Sequence, residues 1–304
     1  MKAGSAWARV VLAAAGLSLA GCGAGPAASP GPQGRIPVVV AENDWGSIAA
    51  QVGGRWVQVT SIITDPSADP HVYEPTPADG RAVASARLVW YNGIGYDTWM
   101  PRLLAADPGR RQVLDVGQVV GVGNGGNPHR WYNPADVTTV VAAYVSDLSR
   151  LEPAHAGYFR ARAVQFESVA LGPYDALVAS IKARYAGTPV GASESIFSML
   201  APALGLDLVT PDSFLRAISE GTEVTAGAKA TADGQITHHL IRIYVYNSQN
   251  TTPDIQAQLA ECQAAGIPTA TVTETLAPPT ATYQEWQSRQ LAGIAAALAR
   301  ATGR

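Results

Sequence analysis

The chain has 304 residues, 47% of them hydrophobic and 15% charged, with a formal net charge of −3. That composition supports extensive cores in about two domains and excludes global disorder. Lysine and arginine form no block, so there is no electrostatic footprint for nucleic acid.

In chain order, the first feature is a targeting segment. Lys2 and Arg9 form a positive region ahead of the apolar run VVLAAAGLSLA, which is too short to span a bilayer as a mature helix. The run ends in Leu19, Ala20, Gly21 and Cys22, which resembles a bacterial lipobox, with cleavage before Cys22 and acylation of its thiol. Cleavage there removes two cations and no acid, moving the net charge from −3 to −5. Cys22 would then carry lipid, leaving Cys262 without a disulfide partner as a small core residue. Residues 22–34, rich in glycine, alanine and proline, read as a flexible tether. No later apolar run reaches the ~18 residues of a membrane span.

Strands and helices then alternate. Residues 36–42 (IPVVVAE) predict a buried strand and 45–52 a helix; 56–63 predict a second strand. Residues 77–86 predict a short helix, with Thr76 as its cap and Pro77 at its first position. A third strand is expected over 86–93 and a helix over 96–106. Residues 133–151 form an amphipathic helix, and 154–185 have helical patterning interrupted at Gly172 and Pro173. A second alternating half follows, with strands at 188–193, 206–210, 244–247 and 268–273. Its helices are expected at 196–204, 232–243, 253–265 and 283–301. The expected fold is α/β: two Rossmann-like lobes with parallel sheets, joined by a long inter-lobe helix, with a cleft between them. The expected division is a signal segment 1–21, a tether 22–34, an N-terminal lobe 35–153, the inter-lobe helix 154–186 and a C-terminal lobe 187–304.

Four residues stand out as candidate ligands. His71 lies in ADPHVYEPTPAD and His129 in NPHRWYNP, each in a loop stiffened by prolines. A rigid loop fixes an imidazole in one orientation, as a metal ligand requires. Glu194 and Glu274 follow predicted strands of the second half, at their C-terminal tips. Taken singly, either acid fits a helix cap or a surface position. Together the four describe a cleft lined by two imidazoles from one lobe and two carboxylates from the other.

Other features read differently. GVGNGG, residues 121–126, matches a dinucleotide-loop pattern but runs into Pro128 and His129 instead of opening a helix, and is expected to be a mobile hairpin. His238 and His239, adjacent on a predicted helix, diverge by about 100° and do not readily share an ion. His155 is expected to be solvated. Trp45, Trp131 and Tyr73 are expected to be core and cleft walls.

ADPHVYEPTPAD resembles the signature of the metal-binding solute receptors of bacterial manganese/zinc-type ABC importers. NPHRWYNP is similar to that family's second histidine motif, GASESIF to the segment supplying a third ligand, and VTETL to the segment supplying a fourth. The resemblance covers nearly the whole mature chain. It implies that His71, His129, Glu194 and Glu274 are the ligands of one divalent ion, carried as cargo, with no catalytic cofactor. The ligand set has no thiolate, which disfavours copper(I); nitrogen with oxygen suits zinc, manganese or ferrous iron, and the expectation is zinc or manganese. The resemblance also implies a monomeric non-enzyme, anchored by lipid on the extracytoplasmic face of the bacterial membrane. It would deliver its ion to an ABC permease with its ATPase. Asn127 and Asn133 stand where the family commonly has aspartates, which puts the orientation of His129 in question. A receptor for a metal chelate is one alternative. A metallohydrolase is another, but the compact H-E-x-x-H motif is absent.

Overall fold

The computed structural model describes residue 1 and residues 34–68, 70–250 and 252–304. The expected signal segment beyond Met1, Cys22 and all of the tether except Gly34 lie outside them. Among the described residues no helix is long and apolar enough to cross a membrane.

Two parallel four-stranded sheets organise the chain. The first comprises β1 (Ile36–Glu42), β2 (Val57–Ile63), β3 (Leu88–Tyr91) and β4 (Gln112–Asp115), in spatial order β2-β1-β3-β4. Val38 lies beside both Val59 and Leu88, and Val89 beside Val113. The second comprises β5 (Pro189–Ala192), β6 (Asp207–Leu208), β7 (Tyr244–Asn247) and β8 (Thr269–Val272), in the analogous order β6-β5-β7-β8. All neighbours are parallel.

Parallel strands covered on both faces need apolar side chains in both directions, and β1 shows why its sequence is a continuous run. Ile36, Val38 and Val40 enter the main core, whereas Val39 and Ala41 point into a smaller cluster with Val83, Val89, Trp99 and Met100. The main core continues from the first sheet through to Trp286, Leu291, Ile294 and Leu298. The lobes therefore share one apolar interior.

The first sheet is flanked by α1 (Asn43–Gly53), α2 (Pro77–Ser85), α3 (Trp99–Ala106), the short α4 (Val116–Val120) and α5 (Pro134–Leu151). Thr76 caps α2 through a reciprocal box with Asp79, and Pro77 sits at the start, where a missing N–H costs nothing. The chain passes to the second sheet through α6 (Ala156–Gln165), a π-turn over Phe166–Ala170 and α7 (Gly172–Tyr185). The helical ladder thus widens before Gly172, and Pro173 lies in the tolerant first turn of α7. Around the second sheet lie α8 (Ile196–Leu200), α9 (Asp212–Ser219), α10 (Ala226–Thr237), α11 (Pro253–Ala265) and α12 (Tyr283–Thr302).

Several expectations need correction. Strand β4 and helices α4 and α9 were not anticipated; in β4 only Leu114 is buried, so it lacks the continuous apolar run that marks β1. The helix expected over 232–243 is α10, displaced toward the N-terminus. His238 is its cap residue and His239, with φ +55°, lies beyond it, so the two do not share a helix. No strand forms over residues 121–126, so there is no hairpin there; nor does the segment open a helix. His155 is half-buried and stacks on Trp56 at 3.6 Å between ring centroids, in place of being solvated. Cys262 is buried among Tyr244, Ile236 and Ile267, and burial pushes its thiol up to about 12, in keeping with an inert core side chain.

The α2 box offers a direct check on local stability. Thr76→Ala should destabilise the metal-free protein by about 1 kcal/mol, read as a lower midpoint in urea unfolding with an unchanged slope.

Candidate metal site

Both sheets direct the C-terminal ends of their strands toward one crevice, the position where open parallel sheets hold ligands. His71 lies in a single helical turn, Pro70–Val72, after β2. His129 precedes a similar turn, Arg130–Tyr132, beyond α4. Glu194 follows β5 and Glu274 follows β8. One ligand atom each from His71, His129 and Glu274 lies within 4.8 Å of the others. Glu194 is 2% exposed and stands outside that trio, but is joined to it. The side-chain amide of Asn247, at the end of β7, donates to Glu194 Oε2 at 3.1 Å and to Glu274 Oε1 at 3.0 Å.

The buried imidazole is held in one tautomeric sense. His129 Nδ1 lies 2.9 Å from Asn127 Oδ1, which also accepts from the His129 backbone N–H at 3.0 Å. The amide oxygen can only accept, so Nδ1 carries the proton and Nε2 presents its lone pair. Nε2 is buried and has no hydrogen-bond partner among the described residues, which fits a nitrogen kept for a cation. Burial, and secondarily the charge of His71, hold His129 well below the usual histidine range. It is therefore neutral, the state that can ligate. The departure at Asn127 does not disorient His129; the amide oxygen does what a carboxylate oxygen could do. Asn133 has a separate task, capping α5 by accepting from Ala135 and Asp136.

Tyr96 is a site residue the sequence reading missed. Fully buried, it donates its hydroxyl to Glu274 Oε2 at 3.0 Å, and its ring meets His71 edge-on at 4.6 Å. Trp131 supports His129 at 5.4 Å between centroids. Trp45 and Trp131 are both fully buried, and Tyr73 packs against Trp99. Gln249 holds the turn bearing Glu274, accepting from the backbone N–H groups of Glu274 and Thr275. A cavity of about 550 Å³ opens over His71 and Glu274, with Ser67, Val72, Glu220 and Asn250 in its wall. His129 and Glu194 lie deeper.

Three further acids were also missed. Glu42 and Asp44 are fully buried and Asp97 is 1% exposed. Burial, then Asp97 and Asp44, push the Glu42 carboxyl well up; burial likewise pushes Asp44 up against its bond from the Trp45 N–H. Asp97 accepts from the Asn92 and Gly93 N–H groups, yet burial still raises it to about 7. Glu42 ends β1 and was open to the same strand-tip reasoning that found Glu194 and Glu274. Tyr96 and Asn247 left no such signal, since tyrosine and asparagine are ordinary after strands.

The family model described as zinc-uptake complex component A, periplasmic (ZnuA), matches residues 38–297. Curated relatives include the manganese-binding lipoprotein MntA of Halalkalibacterium halodurans, 28% identical over 152 residues, 48% of this chain and 50% of that one. The iron-binding protein YfeA of Yersinia pestis is 28% identical over 176 residues, 52% and 53% of the two chains. The chain spans about half the length of the curated relatives it matches. Among solved structures, a manganese-bound mutant periplasmic metal-binding protein from Candidatus Liberibacter asiaticus superposes with TM-score 0.74 at 19% identity. That match covers 87% of this chain and 99% of the other. The nickel complex of FpvC from P. aeruginosa gives 0.71 at 18%, covering 89% and 99%. At these identities the structural likeness speaks to the fold.

The buried acids set a pH dependence. Glu42, Asp44 and Asp97 bind protons more tightly folded than unfolded. Their stabilising contribution is full below about pH 4 and is lost as pH rises through their folded values, about 7 for Asp97. His129 has the opposite sign: its depressed value gives a contribution present above about pH 6.5 and lost as pH falls. In thermal melts in chelator between about pH 4.5 and 7, stability should fall with rising pH less steeply in Glu42→Gln than in the wild type. Equal slopes in the two proteins would contradict the assignment.

Proposed function

Since the chain belongs to the ZnuA family of periplasmic zinc-uptake components, we propose that it is an extracytoplasmic solute receptor. It captures one divalent transition-metal ion, zinc or manganese, and delivers it to an ABC permease with its ATPase. Its ligands are His71, His129, Glu194 and Glu274. The observation that carries this reading is the meeting of His71 and His129 from one lobe with Glu274 from the other, all within 4.8 Å. The neutral, oriented imidazole of His129 supports it.

The chemistry follows from the donor set. Two neutral imidazoles and two carboxylates balance the charge of a dication, and nitrogen with oxygen suits zinc or manganese. The wide mouth beside His71 and Glu274 gives an ion access, and the buried His129 and Glu194 receive it at the inner end. Asn247 holds the two carboxylates in proximity, and each can rotate onto a cation. The metal is cargo, so the site needs affinity and release, with no catalytic step; the protein is not an enzyme. The body would act as a monomer, anchored by acylated Cys22 at the outer face of the bacterial cytoplasmic membrane. The working division is an N-terminal lobe over 35–153, a connecting segment over 154–186 and a C-terminal lobe over 187–304.

The decisive measurement uses the body without a histidine tag: elemental analysis of bound metal, with competition binding of zinc and manganese. His71→Ala and His129→Ala should each weaken binding by about 100-fold or more, beyond the ~10–100-fold cost of losing an outer hydrogen-bond partner. Stoichiometric, tight binding by His71→Ala would defeat the ligand assignment. Lowering the pH should release the ion, because protons compete for the same nitrogens and oxygens. Affinity that stays constant from pH 7 to pH 5 would contradict imidazole ligation.

A further inference from the structure

Asn127 touches both lobes at once. Its Oδ1 accepts the His129 backbone N–H at 3.0 Å and faces His129 Nδ1 at 2.9 Å. Its Nδ2 reaches across the crevice and donates to the Ser195 carbonyl at 2.6 Å and to Ser198 Oγ at 3.0 Å. Ser195 is the residue after Glu194 and is 2% exposed; Ser198 lies in α8 and donates its own hydroxyl to the same Ser195 carbonyl at 2.6 Å. Ser195 is further tied through its N–H and hydroxyl to Ser219 Oγ at the end of α9, at 3.0 and 2.8 Å.

We infer that Asn127 is a positioning residue that sets the His129 imidazole of one lobe in register with the Glu194 segment of the other. This rests on the proposed reading of His129 as a ligand. An amide suits the place because both of its ends are in use. The oxygen accepts from His129, and the two hydrogens have two acceptors. An ionised aspartate of the same shape retains the first function and loses the second, since it has no hydrogen to donate. Its oxygen would also face the Ser195 carbonyl at contact distance. Asparagine in place of aspartate therefore changes what the residue does: it turns a bond that orients one ligand into a bridge between two.

Two substitutions separate the halves of this role. Asn127→Asp keeps the acceptor for Nδ1–H and loses the bridge. Asn127→Ala loses both. In histidine-labelled protein, nitrogen shifts report the His129 tautomer, and zinc competition reports affinity. Asn127→Asp should keep the wild-type tautomer signature and weaken zinc binding by about 10-fold; Asn127→Ala should lose the signature and weaken binding by about 100-fold. Ser198→Ala probes the bridge from the other side, away from the ligands. It should weaken binding a few-fold, and the cost of Asn127→Asp should shrink in that background, as expected for coupled partners. Zinc binding by Asn127→Asp within twofold of wild type would overturn the bridge. An unchanged His129 signature in Asn127→Ala would overturn the orienting half. His129→Ala distinguishes the two levels. If it binds zinc normally, the ligand reading fails and takes this inference with it. If it loses zinc while Asn127→Asp does not, only this inference fails.

Discussion

Carboxylates crowded where water barely reaches are the constraint on which the rest of the molecule turns. Burying an ionised acid is costly unless it is paired or hydrogen-bonded. Glu42, Asp44 and Asp97 make no salt bridge among the described residues, and burial raises the proton affinity of each. Glu274 is held by the Tyr96 hydroxyl and the Asn247 amide, and Glu194 by the same amide. A region so rich in acceptors favours a cation at the position where the two imidazoles already point. Capture by such a site needs no chemistry beyond exchange of ligands and protons.

The constraint can be met only if the two lobes are held accurately. Their shared core does part of this. Buried hydrogen bonds across the junction do more: the Tyr132 hydroxyl donates to the Thr273 carbonyl at 2.7 Å, and Tyr283 donates to the Trp131 carbonyl at 2.6 Å. Asn43 Oδ1 accepts from Leu276 N–H at 3.1 Å, so the loop after Glu274 is fastened to the start of α1. Aromatic edges between Tyr132, Tyr283 and Trp286 fill the space behind these bonds. The residues flanking His129 and Glu274 are thereby anchored on the opposite lobe, and the two side chains inherit that rigidity. The wide cavity lies on the other side, over His71 and Glu274.

Amides recur where a simpler site would use acids. Asn127 orients His129, Asn247 spans two carboxylates, and Asn92 donates to the Pro128 carbonyl at 2.8 Å, steadying the loop before His129. Each supplies a donor that aspartate lacks, in surroundings already heavy with negative charge. The resemblance put Asn127 in doubt because an expected carboxylate was absent; the geometry shows that its oxygen faces the imidazole Nδ1 at 2.9 Å and accepts as a carboxylate oxygen could.

The sequence alone determined the alternating α/β order, because strands covered on both faces must be apolar throughout and helices must be amphipathic. It also marked His71 and His129, because paired prolines stiffen a loop in a way visible in the local chain, and Thr76 with Pro77, because helix caps are local. It missed β4, α4 and α9, although α9 is as long as the expected α3 and its apolar residues Phe214, Leu215 and Ile218 lie at helical spacing. Only the tertiary structure decided that Glu274 joins the imidazoles directly while Glu194 joins through Asn247. It alone drew Tyr96, Glu42, Asp44 and Asp97 into the same surroundings. Proximity between residues as far apart as Asn127 and Ser198 depends on how two sheets dock. Docking is set by the summed shape of the core, which no short stretch of residues encodes.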